Sequence, residues 1–77
     1  MTNKEMLQIL KQDIKELKQK RYTYKIIKGL SSFGYFGVDL MAYIPNGLSG
    51  FNKSIREIQF KSKNARDTFL KECEVLK

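Results

Sequence analysis

The stretch FGVDLMAYI, residues 36–44, alternates between two kinds of side chain. Its even positions are all apolar, whereas its odd positions hold glycine, aspartate, methionine and tyrosine. Successive side chains of a β-strand point to opposite faces of the sheet, so this pattern buries one face and leaves the other near water. Helical geometry would scatter the same apolar residues around a cylinder. The stretch therefore predicts the central strand of a small sheet.

Two elements are predicted before this strand. Residues 2–20 form an amphipathic helix, because apolar residues recur at helical spacing: Leu7, Leu10, Ile14 and Leu17. Thr2 or Asn3 can cap its start. Residues 22–28 are rich in tyrosine, threonine and isoleucine, which favours a first strand with its even-numbered residues on the core face.

Turn residues follow the central strand. PNGLSG, residues 45–50, combines proline, glycine and Asn-Gly, and we expect a loop longer than a two-residue hairpin turn. Residues 54–61 then predict a third strand, with Ile58 and Phe60 facing the core and Ile55 facing outward.

A final helix, capped by Ser62 or Asn64, is predicted to about residue 75, with Cys73 as a small core residue. The predicted order is α-β-β-β-α. It describes one α+β domain over residues 1–77, a three-stranded antiparallel meander with two helices packed on one face. The alternative architecture replaces the third strand with a longer loop.

The charge of the chain is lopsided. It holds 15 Lys+Arg and 8 Asp+Glu, a formal net charge of +7. Such an excess favours a polyanionic partner, either nucleic acid or an acidic protein surface. The alternative is that the lysines serve solubility alone. That alternative is slightly favoured for four lysines that share one flank of the first helix: Lys4, Lys11, Lys15 and Lys18.

Several classes of site are not predicted. The chain has no histidine and a single cysteine, so the usual general base and the usual metal ligands are missing. Its carboxylates are spread among lysines, and its serines have no base beside them. No apolar run approaches the roughly 20 residues that span a bilayer. We therefore expect a cytoplasmic protein that is not an enzyme, without catalytic residues, metal or cofactor, and without a membrane partner.

The open face of the predicted sheet carries aromatic residues interleaved with lysines. If the strands pair in the phase above, this face gathers Thr23, Lys25, Ile27, Tyr35, Met41, Tyr43, Ile55, Gln59 and Lys61, with Phe33 just beyond the edge. Base stacking and phosphate pairing on such a face are typical of single-stranded nucleic-acid binding. The apolar members Phe33, Met41 and Ile55 would equally suit a protein interface, including one with a second copy of the chain.

A second basic locus surrounds the start of the last helix. Lys61, Lys63 and Arg66 lie there, where cations oppose the helix dipole unless an anion binds. Asp67 partly relieves this conflict. The predicted nucleic-acid contacts are Lys25, Tyr35, Tyr43, Lys61, Lys63 and Arg66.

The α-β-β-β-α order, with Ser62-Lys63-Asn64-Ala65-Arg66 opening the last helix, resembles the double-stranded RNA-binding domain. The resemblance implies contacts to A-form RNA from this helix start, from the first helix and from the loop between the first two strands. The chain lacks the histidine of that loop. It also has Ile58-Gln59-Phe60 where the family has a glycine-rich approach, and Lys63-Asn64 where the family has paired lysines. Membership is therefore not assigned.

Two functions are consistent with these patterns. The first is a small non-enzymatic protein that binds RNA or DNA with little sequence specificity. The second is a small regulator or inhibitor that binds a larger host complex, of the kind encoded by phages and mobile elements. Both use the aromatic face, and they differ in whether the lysines or the apolar residues carry the binding.

Overall fold

The computed structural model describes residues 2–29 and 35–76, and it confirms the α-β-β-β-α order. The elements are α1 (Asn3–Gln19), β1 (Tyr24–Lys28), β2 (Phe36–Asn46), β3 (Ser49–Phe60) and α2 (Lys63–Glu72), followed by a 3₁₀ turn (Cys73–Leu76). The strands form one antiparallel sheet in the order β1-β2-β3. None of the described helices is long and apolar enough to cross a membrane.

The core lies between the even-numbered face of β2 and the two helices, as the alternation predicted. Val38, Leu40 and Ala42 are each no more than 1% exposed. The neighbouring strands and both helical segments close this layer with Leu10, Ile14, Leu17, Ile26, Phe60, Phe69 and Cys73. The aromatic pair Phe60 and Phe69 has ring centroids 5.2 Å apart. The phase of the central strand is therefore confirmed.

Both helices begin at the predicted caps. The Thr2 hydroxyl accepts the Glu5 N–H at 3.2 Å, and the Glu5 carboxylate accepts the Thr2 N–H at 3.4 Å, which completes a capping box. The Ser62 hydroxyl accepts the Ala65 N–H at 3.1 Å. Of the two alternative caps for each helix, Thr2 and Ser62 are the ones used.

The loop between β2 and β3 is shorter than predicted. Asn46 pairs with Ser49, so only Gly47 and Leu48 form the turn. Gly47 has a φ of 65°, a positive value that a glycine adopts without steric penalty at the first central position of a type II′ turn. The expectation of a longer loop was wrong, because Ser49–Lys53 pair with β2 instead of forming an irregular loop. We refer to the two-stranded end of this hairpin, residues 43–52, as the hairpin arm.

Ile55 lies on the core side, not on the open face as predicted. Leu40 pairs with Arg56 but Met41 pairs with Ser54, so Ile55 is an extra residue in β3. Such a β-bulge shifts the alternation by one residue. Ile55 is consequently half-buried and packs against the core, whereas Arg56 reaches Asp13 of α1 with Nε 2.9 Å from Oδ2. The assignment of Ile55 to an interaction surface is corrected.

Candidate nucleic-acid interface

Two of the predicted nucleic-acid contacts, Lys25 and Tyr43, lie on the open face of the sheet together with Met41, which was predicted for a protein interface. Lys25 of β1 pairs with Met41 of β2, and Tyr43 is the next residue of β2 on the same face. Together with Thr23, Tyr24 and Asn52 they line a shallow depression of about 300 Å³. Lys25 and Tyr43 are exposed, and Met41 is half-buried. This group, Lys25, Met41 and Tyr43, is called the middle patch.

The ring of Tyr43 rests on the sheet beside a glycine. A Cβ atom added to Gly50 would lie 2.5 Å from the Tyr43 ring. Because Gly50 has no side chain, the Tyr43 ring can lie along the hairpin arm. Tyr43 is 41% exposed there. The ring therefore packs on the backbone at Gly50, and its exposed part is available for stacking.

A second group of predicted residues lies at the far end of the sheet. Phe36 pairs with Phe60, so Tyr35 and Lys61, which flank that pair, lie at the same end as the start of α2. Lys61 and Lys63 are exposed, and Tyr35 is 39% exposed. This group, Tyr35, Lys61 and Lys63, is called the end patch. Phe33, predicted at the edge of this face, lies outside the described residues.

The structure does not join the two patches into one surface. Tyr35 and Met41 are six residues apart along the chain, about 20 Å at the rise of a strand. Between them, on the same open face, Asp39 of β2 pairs directly with Glu57 of β3. Two carboxylates therefore lie where a polyanion crossing the sheet would pass. Both residues belong to the odd-numbered phase of their strands, so the sequence pattern contained this feature, although the predicted surface omitted it.

Asp39 is in an unfavourable electrostatic environment. Its carboxylate lies against Gly29, and its Oδ1 is buried without a hydrogen-bond partner among the described residues. Burial, and then the charge of Glu57, raise the pKa of Asp39 above its ordinary value of 3.8. The folded chain therefore binds this proton more tightly than the unfolded chain does. The stability contributed by this group is present below pH 3.8 and is lost as the pH rises through the folded-state pKa.

Asp39→Asn is expected to stabilise the protein at pH 7. The amide removes one of two like charges that face each other across the strands, and such pairs destabilise a sheet by about 0.2–1 kcal/mol. The gain should shrink as the pH falls toward 4, where Asp39 takes up a proton in the parent protein. Urea unfolding of both proteins at pH 4 and pH 7 measures it. A variant that is less stable than the parent at pH 7 would show that the carboxylate is held by an attractive contact.

Arg66 is not available as a phosphate contact, contrary to the prediction. Its side chain is only 8% exposed, and its Nε donates to Asp67 Oδ1 at 3.1 Å. The guanidinium carbon lies 5.3 Å from the centroid of the Phe36 ring, at cation–π distance. Arg66 thus packs the first turn of α2 onto the end of the sheet, and it is removed from the candidate interface.

The hairpin arm carries apolar residues that the predicted surface did not include. Leu48 at its tip is fully exposed, and Phe51 is 49% exposed. A loop was expected at residues 45–50 and the third strand only from residue 54, so the alternation of residues 48–52 within a strand was not considered. The sequence signal that would have extended β3 back to them is Gly47, because a glycine can open a two-residue hairpin turn.

Among the described residues, no group of three or more cysteine and carboxylate side chains could hold a metal ion. No protein-family model matches the chain, and no curated protein and no solved structure matches it either.

Proposed function

We propose that this chain is a cytoplasmic, non-enzymatic protein that binds nucleic acid with little sequence specificity, through the end patch. The observation that carries the proposal is the start of α2. Exposed lysines lie on both sides of the cap Ser62, and the first turn of the helix contains no acidic residue. The net charge of +7 supports the same partner.

The start of α2 is arranged as an anion site. Helix dipoles leave positive charge at an N-terminus, and the first N–H groups of a helix lack intrahelical acceptors. Ser62 satisfies the N–H of Ala65, which leaves those of Lys63 and Asn64 for another acceptor. The nearest acid of the helix, Asp67, is engaged by Arg66 at 3.1 Å and lies 4.0 Å from Lys28. A bound phosphate would balance the lysines and accept these N–H groups.

Low sequence specificity follows from the chemistry of the patch. Lysine contacts to phosphate fix position but carry no sequence information. Tyr35 offers an exposed ring at the same end, and a base of any type can stack on it. The Asp39–Glu57 pair separates this site from the middle patch, so a strand bound at the end patch does not continue along the whole sheet. Short single-stranded segments suit such a divided surface best.

The double variant Lys61→Gln/Lys63→Gln is expected to weaken binding to any oligonucleotide, whatever its sequence. Each lost phosphate contact should also flatten the dependence of log K on log salt by about 0.7 for a single strand. Fluorescence anisotropy with single-stranded RNA and DNA at two salt concentrations measures both effects. The matched control is Lys53→Gln/Lys71→Gln, which removes the same charge from exposed lysines outside the end patch. Equal losses in both double variants would assign the binding to net charge and contradict the proposed site.

The second candidate is a small regulator or inhibitor that binds a larger protein complex, as phage and mobile-element proteins do. The exposed Leu48 and Phe51 of the hairpin arm favour it. Nuclease-treated lysate passed over the parent and a Leu48→Ser variant tests it: a partner retained only by the parent is the expected result. A second copy of the chain is one partner that the arm could bind, and sedimentation velocity of the purified protein would show it.

A further inference from the structure

A groove lies between the second half of α1 and the 3₁₀ turn that follows α2. Its volume is about 540 Å³, and its described lining residues are Lys11, Ile14, Lys15, Lys18, Gln19, Val75 and Leu76. None of them is acidic. Three lysines of α1 thus border a concave surface whose other side is built from apolar residues of the last turn.

The sequence places the lysines on one side of the helix. Lys11, Lys15 and Lys18 follow the i, i+4, i+7 spacing, so they lie within an arc of about 60° and span about 10 Å of helix. Ile14 lies about 40° outside this arc, toward the core; it is 4% exposed and lines the groove. The lysine flank therefore faces the groove and not only open solvent.

Val75 lines this groove but is not packed into the core. Cys73 is fully buried in the core and Leu76 packs against it, whereas Val75 is 82% exposed. An exposed valine beside buried neighbours contributes little to stability. It does provide an apolar contact in the groove, across from the row of lysines on α1.

We propose that this groove binds an acidic amphipathic segment of a protein partner. Helix-in-groove recognition uses apolar anchors at i, i+3, i+4 and i+7 together with complementary charges. An apolar anchor would contact Val75 and Leu76, and carboxylates beside it would face Lys11, Lys15 and Lys18. The combination of apolar lining and uniform positive charge selects an acidic amphipathic chain over a chain that is merely acidic.

Two other anionic partners fit the groove less well. A nucleic-acid strand would satisfy the lysines, but its bases stack best on aromatic rings, and the described lining of the groove holds none. A membrane needs a convex apolar face, and the apolar stripe of α1 is buried in the core at Leu10, Ile14 and Leu17. This inference does not rest on nucleic-acid binding, because it uses none of the residues of the end patch.

A synthetic helical peptide of leucine, glutamate and alanine tests the proposal. Its leucines follow the i, i+3, i+4, i+7 spacing and glutamates flank them, and a scrambled peptide of the same composition is the control. We expect saturable binding of the patterned peptide, measured by calorimetry, and weaker binding of the scrambled one. Val75→Asp, and separately Lys15→Glu/Lys18→Glu, should weaken it about tenfold or more, the loss of one good apolar or charged contact.

Thr68→Asp is the matched control, because it places the same new charge on an exposed residue of α2 outside the groove. Its affinity for the peptide should equal that of the parent protein. The proposal is overturned if the patterned peptide does not bind, if the scrambled peptide binds equally well, or if Val75→Asp changes nothing. The proposal is also overturned if a single-stranded oligonucleotide displaces the peptide, which would assign the groove to nucleic acid. It is overturned likewise if phosphatidylserine vesicles bind in place of the peptide and need Val75, which would assign the groove to a membrane. A peptide result of either sign leaves the Lys61→Gln/Lys63→Gln comparison unaffected.

Discussion

Leu40→Ala is expected to lower the free energy of unfolding by about 2–5 kcal/mol, and Met41→Ala to lower it much less. Leu40 lies near the centre of β2 with no exposed surface, in the core cluster that includes residues of both helices. Truncating it leaves a cavity that neighbouring side chains fill only in part. Met41 is half-buried on the open face, where solvent replaces the lost atoms. Urea unfolding of the two variants measures the difference.

The adjacent positions make this comparison a strict test of the strand phase. Both variants lose a side chain of similar size from the same strand, so local propensity changes alike. Equal destabilisation, or a larger effect at Met41, would mean that the open face is covered. The candidate surfaces on that face would then not be available to any partner. A small domain has only about 5–15 kcal/mol of stability, so the predicted loss is large enough to measure easily.

Arg66→Gln is expected to lower the free energy of unfolding by about 2–3 kcal/mol while leaving oligonucleotide affinity nearly unchanged. The substitution removes a guanidinium that donates to Asp67 and lies over the Phe36 ring, together with a stem that packs at the start of α2. Breaking a buried pair destabilises by about 3–5 kcal/mol, and the half-exposed Asp67 reduces that figure here.

Lys63→Gln is the matched control for Arg66→Gln. It lies less than one turn away on the same helix, but it is exposed. It should leave stability unchanged or slightly higher, because it removes a cation from the positive end of α2, and it should weaken oligonucleotide binding. The reverse result, with Arg66→Gln reducing affinity and preserving stability, would return Arg66 to the interface and contradict its structural role.

The fold could be predicted because its strongest signals have distinct periods. Residues 36–44 alternate with a period of two, and α1 repeats its apolar residues with a helical period, so each burial face follows directly. The β-bulge at Ile55 could not be read in the same way. Its presence depends on how β3 registers against β2 after the turn, and a one-residue shift reverses every side chain beyond it.

The candidate site was predicted less well because exposure was inferred from residue type. Arg66 precedes Phe69 by three residues and Cys73 by seven, so the helical spacing already places it on the buried side of α2. Because Arg66 is charged, it was expected to be exposed to solvent. In the structure it packs against Phe36 instead. Asp39 and Glu57 each follow the outward phase, but only the pairing of β2 with β3 places them opposite each other.

The salt dependence of wild-type binding tests the proposed function most directly. Nuclease-treated protein is titrated into a labelled single-stranded oligonucleotide at several salt concentrations, with anisotropy as the signal. We predict binding at low salt that weakens steadily, with a slope of log K against log salt of about −1.4 or steeper, as two or more phosphate contacts require. Absence of binding at the lowest salt concentration, or a slope near zero, would contradict the proposal that this chain binds nucleic acid through its lysines.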